Sequence, residues 1–77
     1  MYYSGIVSVV TGDFNFTLVD RDTVTVKCYV NSPCLKEVVK LLDIGDAISV
    51  KGEVQKHKVD YLKQRVEISI EVKEILG

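Results

Sequence analysis

Alternation of apolar and polar residues runs through most of the chain and predicts a protein built from strands. Five segments repeat with a period of two, the spacing of a strand with one buried and one solvent-facing side. They cover residues 2–10, 14–19, 23–30, 47–54 and 66–73. Gly5 lies inside the first segment, where a glycine indicates a bulge or a sharp bend. Short turns are expected at residues 11–13 and 20–22.

The same alternation predicts which side chains enter the core. The expected inward-facing positions are Gly5, Val7, Val9, Phe14, Phe16, Leu18, Val24, Val26, Cys28, Val30, Ile48, Val50, Gly52, Val54, Val66, Ile68, Ile70 and Val72. Apolar residues make up 47% of the 77 residues. A chain this short needs nearly all of its apolar positions to form one core, so we predict one domain over residues 1–77.

The period changes between Ser32 and Gly45, where a helix is predicted. Ser32 is a favourable N-cap and Pro33 suits the first helical position. Apolar residues then recur at i, i+3, i+4 and i+7, namely Leu35, Val38, Val39 and Leu42. Gly45 is placed to end the helix in a left-handed conformation. We expect an amphipathic helix of about three turns that covers one end of the sheet.

The element order is three strands, one helix and two strands. Five strands, which we expect to be antiparallel, with a helix between the third and the fourth match the OB-fold, a small Greek-key barrel. The predicted fold class is therefore all-β, a five-stranded OB-fold barrel with one α-helix.

The segment from Gln55 to Arg65 is the most unusual part of the chain in charge. It contains four of the ten Lys and Arg residues and one acid, for a formal charge of +3 in a chain whose net charge is -1. The sequence predicts that it is a loop of about ten residues between the last two strands. Hairpin connections usually have ~2 to 5 residues, and longer loops are often functional.

Several short motifs resemble those of a known family. They are residues 5–7 (GIV), 16–20 (FTLVD), 24–26 (VTV, leading to an aromatic) and 44–54 (IGDAISVKGEV). They are similar to segments of the OB domains of replication protein A and its archaeal relatives, and of anticodon-binding OB domains. The resemblance covers nearly the whole chain. It implies that a single-stranded nucleic acid lies across the outer side of strands two and three, between two clamping loops.

Carried over by position, the resemblance implies a set of binding residues. Strands two and three would supply Asn15, Thr17, Lys27 and Tyr29, the first loop Gly12 and Asp13, and the second loop Lys56, His57, Lys58, Tyr61, Lys63 and Arg65. Tyr29 and Tyr61 match the stacking aromatics. An exposed ring stabilises a stacked base by ~1 to 3 kcal/mol whatever the base, and nearby cations contact phosphates.

Structural roles compete with these assignments. Tyr29 is also placed to cover the helix end, Tyr61 to anchor a long loop, and the lysines to protect a strand edge from pairing with other chains.

The preferred hypothesis is binding of single-stranded DNA, with RNA left open. The alternative is a protein-interaction module of a replication or repair assembly. The net charge and the outward Glu53, Glu67 and Glu71 favour that alternative. A third possibility is a module of a longer protein with further OB domains.

The sequence indicates no catalytic centre, cofactor or metal site. A nucleophile with a base, or converging carboxylates, would be required for catalysis. Cys28 and Cys34 are too few for a zinc site. Two reduced, buried or half-buried thiols are expected, although a disulfide stays open. No long apolar run or leader segment is present, so an intracellular location, in the cytoplasm or in a eukaryotic nucleus, is expected without membrane contact.

Overall fold

The computed structural model describes residues 2–12, 14–19, 24–62 and 64–76. The elements are β1 (Tyr2–Thr11), β2 (Asn15–Val19), β3 (Val24–Val30), α1 (Pro33–Lys40), β4 (Ala47–Asp60) and β5 (Arg65–Leu76). Their order confirms three strands, one helix and two strands. The turn predicted at residues 20–22 lies outside the described residues.

The strands form a closed barrel in the order β1-β2-β3-β5-β4, which confirms the predicted OB-fold. The expectation that all strands are antiparallel is wrong, because β3 and β5 are parallel from Val24↔Val66 to Val30↔Val72. The reason is one of parity. Direction cannot alternate around a closed ring with an odd number of strands, so a ring of five needs at least one parallel pair.

The core lies inside the barrel and follows the alternation of the strands. Its buried members are Val7, Phe16, Leu18, Val26, Cys28, Val30, Val39, Ile48, Val50, Ile70 and Val72. Three residues predicted to face inward are instead exposed, Val9 (48%), Phe14 (41%) and Val54 (44%). Most of the predicted core is therefore confirmed, and each of the three exceptions has a local cause.

Val9 faces outward because β1 has a bulge. Val7 pairs with Leu18 and Val9 with Thr17, so Ser8 is an extra residue and the inward side passes to Val10. The bulge lies three residues beyond Gly5. Gly5 has a separate role, because it allows β1 to approach β2 closely: a Cβ at position 5 would lie 2.8 Å from the carbonyl oxygen of Val19.

Phe14 and Val54 lie where the barrel wall ends. The Phe14 carbonyl accepts a hydrogen bond from the Val30 amide (2.8 Å), and Lys36 Nζ lies 3.9 Å from the centre of the Phe14 ring. The ring thus packs against a helix side chain at the barrel end, a favourable cation–π arrangement. Val54 belongs to the part of β4 beyond its pairing with β1, which ends at Lys51.

The helix is shorter than predicted. Ser32 is the N-cap and Pro33 the first helical residue, as expected, but α1 has eight residues, which is about two turns. Val39 is buried, Leu35 and Leu42 pack against the core, and Val38 is 37% exposed. Gly45 has the predicted positive φ (101°) but does not end the helix. Its amide donates to the Val7 carbonyl (2.8 Å) in the turn that enters β4.

The predicted ten-residue loop is wrong, because most of it is strand. β4 continues to Asp60 and β5 begins at Arg65, and the two pair along this length. The outer part of this hairpin, residues 55–69, is called the arm below. At its end the Asp60 carboxylate accepts a hydrogen bond from the Leu62 amide (3.1 Å). Lys56, Lys58 and Arg65 are therefore held on a two-stranded ribbon instead of a loop.

Gly52 is the first residue of β4 after its pairing with β1 ends, and it lies three residues before the arm. Its pairing with Val72 follows a register shift after Lys51. A Cβ at Gly52 would overlap the backbone carbonyl oxygen of Glu71. The strands approach this closely only because position 52 has no side chain.

We expect Gly52→Ala to destabilise the protein by more than about 2 kcal/mol, because the Cβ meets backbone that cannot rotate away. Urea unfolding followed by circular dichroism measures the change. Gly12→Asn is the control. Gly12 has φ 66° and no atom within 4 Å of an added Cβ, and Asn tolerates the left-handed region. Equal unfolding midpoints for Gly52→Ala and the wild type would contradict this account.

Candidate nucleic-acid interface

A groove crosses the outer side of β2, β3 and β5 and ends against the arm. It has a volume of about 560 Å³. It is lined by Thr11, Asn15, Phe16, Thr17, Lys27, Cys28, Tyr29, Gln55, Lys56, Ser69 and Ile70. Phe16, Cys28 and Ile70 also border it, but they are almost fully buried and face the barrel core. This groove is the concave site that the structure offers to an elongated ligand.

The register places the polar lining residues in rows across the sheet. In one row Thr17 pairs with Lys27, Lys27 with Ser69, and Ser69 with Lys56. In the next row Asn15 pairs with Tyr29. Paired residues lie on the same side of a sheet. Hydroxyl, amide and ammonium groups from four strands therefore converge beside one aromatic ring.

A bulge in β4 brings the arm into this arrangement. Val54 pairs with Ile70 and Lys56 with Ser69, which leaves Gln55 as an extra residue. Without it, Lys56 would share the inward side of Val54, because alternate residues of a strand face the same way. The bulge moves Lys56 to the outer side, where both Gln55 and Lys56 line the groove.

Lys27 is the cation nearest the middle of the groove, and it has an acidic neighbour. Its Nζ lies 3.7 Å from a carboxylate oxygen of Glu67, and both side chains are substantially exposed. An ion pair of this kind contributes little, about 0 to 1 kcal/mol. A phosphate can therefore compete for Lys27, although Glu67 opposes it by charge.

The arm extends the same outer side past the groove. Lys58 pairs with Glu67, while Arg65 donates two hydrogen bonds, from Nε (3.2 Å) and Nη2 (3.0 Å), to Thr25 Oγ1. These bonds fix the guanidinium against β3. Tyr61 lies at the far end and is 84% exposed. His57 pairs with Ile68, so it lies on the opposite side of β4 from Lys56 and Lys58.

The other end of the outer side is acidic. Glu71 pairs with Tyr29 on one side and with Glu53 on the other. Lys73 donates a hydrogen bond to the Glu71 carboxylate, and this bond together with the carboxylate charge raises the pKa of Lys73. Positive charge is thus concentrated at the arm, and the end beyond Tyr29 carries paired charges.

The structure brings five of the twelve predicted site residues together in the groove. Asn15, Thr17, Lys27, Tyr29 and Lys56 line the groove. His57, Lys58, Tyr61 and Arg65 lie along the arm, while Lys63 and Asp13 are outside the described residues. Gly12 ends the turn after β1 with a positive φ.

Sequence analysis missed Thr11, Gln55 and Ser69 as lining residues. Ser69 carried a usable signal, because alternation already placed it on the outer side of the last strand. The parallel pairing that sets it beside Lys27 was not anticipated. For Gln55 the signal was indirect, since the bulge shows only as a shift of apolar residues from even positions up to Val54 to the odd position of Val59.

The closed five-stranded barrel with a capping helix and a groove across its outer side defines an OB-fold domain. A family model of the tRNA anticodon type, described as an OB-fold nucleic acid binding domain, matches residues 4–76. The chain belongs to this family of OB-fold nucleic-acid-binding domains. No individual curated protein matches the chain significantly.

Two further observations concern the described ranges only. No three His, Cys, Asp or Glu side chains among them converge as a metal site would require. No helix within these ranges has the length and apolar character needed to cross a membrane.

The two cysteines differ in environment and form no disulfide. Cys28 is buried under the groove, whereas Cys34 is exposed on α1, contrary to the expectation that both are at least half-buried. Burial raises the pKa of the Cys28 thiol to about 12. The thiol is therefore neutral at physiological pH, and the groove has no charge from it.

We expect a thiol-specific disulfide reagent at pH 8 to modify Cys34 rapidly and Cys28 only after unfolding, because the thiolate is the reactive form. Absorbance of the released chromophore counts the thiols before and after denaturant is added. The Cys34→Ser variant is the control and has no fast phase. Two thiols reacting at similar rates in the native protein would contradict the buried environment of Cys28.

Proposed function

We propose that the chain binds single-stranded DNA in the groove, with Tyr29 as a stacking platform, and that it acts by binding instead of by catalysis. The observation that carries this proposal is the position of Tyr29. Its ring is 44% exposed on the outer side of β3, paired with Asn15 and one row from Lys27. An exposed ring beside cations is the arrangement that holds unpaired bases and their phosphates.

Single strands fit this groove better than duplexes for a simple reason. Tyr29, the stacking ring, is one of the residues that line this volume of about 560 Å³. Only a base that is free of its partner presents its face to such a ring. A duplex would offer phosphates alone, and Lys27 and Lys56 are few for phosphate-driven binding.

The arm supplies a second set of contacts in this proposal. Lys58 and Arg65 continue the outer side of the groove, and Tyr61 provides a second ring at the end. Contacts of His57 and Lys63 with the ligand are further predictions.

Residues 1–77 form one domain in this proposal. Its few rings and cations give modest affinity, and further domains in a longer protein would raise it through effective concentration.

One observation favours the alternative of a protein-interaction module. Leu41 and Ile44, which follow α1, are 79% and 73% exposed. Neither residue lines the groove. A protein contact at this place would leave the groove accessible, so the two functions are compatible.

Fluorescence anisotropy of labelled single-stranded DNA, single-stranded RNA and duplex DNA of equal length tests the proposal. We expect saturable binding that favours single strands, prefers DNA and weakens as salt rises. A preference for RNA would leave the groove as the proposed binding site and change the assigned ligand from DNA to RNA. Absence of binding even at low salt would overturn the proposal and favour the protein-interaction alternative.

We expect Tyr29→Ala to weaken binding about tenfold, since a stacked base contributes ~1 to 3 kcal/mol. Lys56→Ala should reduce the slope of log affinity against log salt by ~0.7, the value for one lost phosphate contact. Tyr29→Ala should leave that slope unchanged. The controls are Tyr2→Ala and Lys40→Ala. Tyr2 is 61% exposed but does not line the groove, and Lys40 lies on α1. Equal effects of Tyr2→Ala and Tyr29→Ala would contradict the assigned platform.

We expect Glu67→Gln to strengthen binding by up to about fivefold, because it releases Lys27 from an exposed ion pair and removes a charge that repels phosphate. Glu37→Gln is the matched control, since Glu37 pairs with Lys40 (3.3 Å) on α1. The same titration measures both variants. Unchanged affinity for Glu67→Gln would show that no phosphate passes Lys27.

A further inference from the structure

The polar residues around Tyr29 include two side-chain amides that the account of stacking and phosphate contacts does not use. Asn15 pairs with Tyr29 from β2, and Gln55 lines the groove from β4. Among the described lining residues none is acidic. Glu71, which pairs with Tyr29 from β5, is held by a hydrogen bond from Lys73, so amides and hydroxyls are the uncharged polar groups beside a base held on Tyr29.

We propose that Gln55 reads the edge of the base stacked on Tyr29 and makes the groove selective for adenine. This inference rests on the proposed function. It goes beyond it because stacking alone is indifferent to sequence.

The bulge is the structural reason for singling out Gln55. An extra residue in a strand re-aims its side chain, and such bulges occur next to binding sites. Gln55 has no partner on β5, and it enters the groove beside Lys56. In a regular strand these two neighbours would face opposite ways, so only the bulge allows both to face the ligand.

The dimensions allow the contact. β4 and β3 are separated by β5, which places their backbones about 10 Å apart. A purine stacked on Tyr29 covers part of this gap from the β3 side, and the glutamine side chain reaches from the β4 side. Asn15 flanks the ring from the opposite strand, β2.

The chemistry of an amide selects adenine. Its carbonyl oxygen accepts from the adenine N6 amine while its NH₂ donates to N7, a bidentate pairing typical of Asn and Gln. Guanine presents two acceptors on that edge, N7 and O6, which suit a lysine instead. Lys27 and Lys56, which line the groove, are assigned to phosphates in the proposed function. The amides are thus the better placed readers.

The experiment compares three labelled oligonucleotides of about nine nucleotides, within the site sizes of OB-fold domains. One is all thymidine, one carries adenines at its centre, and one carries 7-deazaadenine there, which lacks the N7 acceptor. We expect the adenine strand to bind about tenfold more tightly than the other two, as one bidentate pair allows.

Two variants locate the preference. Gln55→Ala should remove it while leaving the salt slope unchanged. Gln55→Glu, which keeps the shape but loses the NH₂ donor, should remove it as well. Gln64→Asn is the control, because Gln64 is outside the groove lining and has φ 53°, which Asn tolerates.

Each outcome decides between the two proposals. Binding without preference, or a preference that Gln55→Ala retains, overturns adenine reading and leaves the proposed function standing. Equal binding of the adenine and 7-deazaadenine strands also overturns it, because the N7 acceptor is then not read. Absence of binding to every strand overturns both.

Discussion

The double pairing of β5 is the constraint on which the structure depends. Between Val66 and Val72 this strand is parallel to β3 and antiparallel to β4, so it closes the barrel and also carries one side of the arm. After Lys51, β4 leaves its partner β1 and continues beside β5 alone. Gly52 permits this because the Glu71 carbonyl oxygen occupies the space that a Cβ would need. The barrel and the binding groove therefore share one strand, and a distortion of β5 would affect both.

The bulge at Gln55 connects that closure to the chemistry of the groove. Before it, outward residues of β4 include Glu53, which pairs with Glu71; after it they are Lys56 and Lys58. One extra residue thus places both lysines on the outer side of the strand, where regular alternation would have placed them inward with Val54. It also frees the glutamine from the ladder. The basic arm is a consequence of register as much as of composition.

The alternation of apolar residues was sufficient to predict the fold, because each strand has one side in the core. It could not reveal the parallel pairing of β3 and β5, which is a property of the closed ring, or the bulges at Ser8 and Gln55. At Gln55 the bulge shifts the alternation by one residue, and over so short a segment such a shift looks the same as the end of a strand. The segment after Gln55 was taken for a loop because, once the bulge shifts the register, Lys56 and Val59 no longer continue the alternation of Ile48 to Val54. Five of the twelve predicted binding residues nevertheless line the groove, and four of them lie on β2 and β3, which keep a regular register there.

The pairing of charges decides which force can dominate ligand binding. Lys27 faces Glu67 and Lys73 faces Glu71, so much of the positive charge on the outer side is offset locally. Long-range attraction to a polyanion is correspondingly weak, as the net charge of -1 also indicates. Stacking on Tyr29 and hydrogen bonds from uncharged groups are not offset in this way. In the proposed function such a domain would gain affinity mainly from bases instead of phosphates, and base contacts are the ones that distinguish sequences.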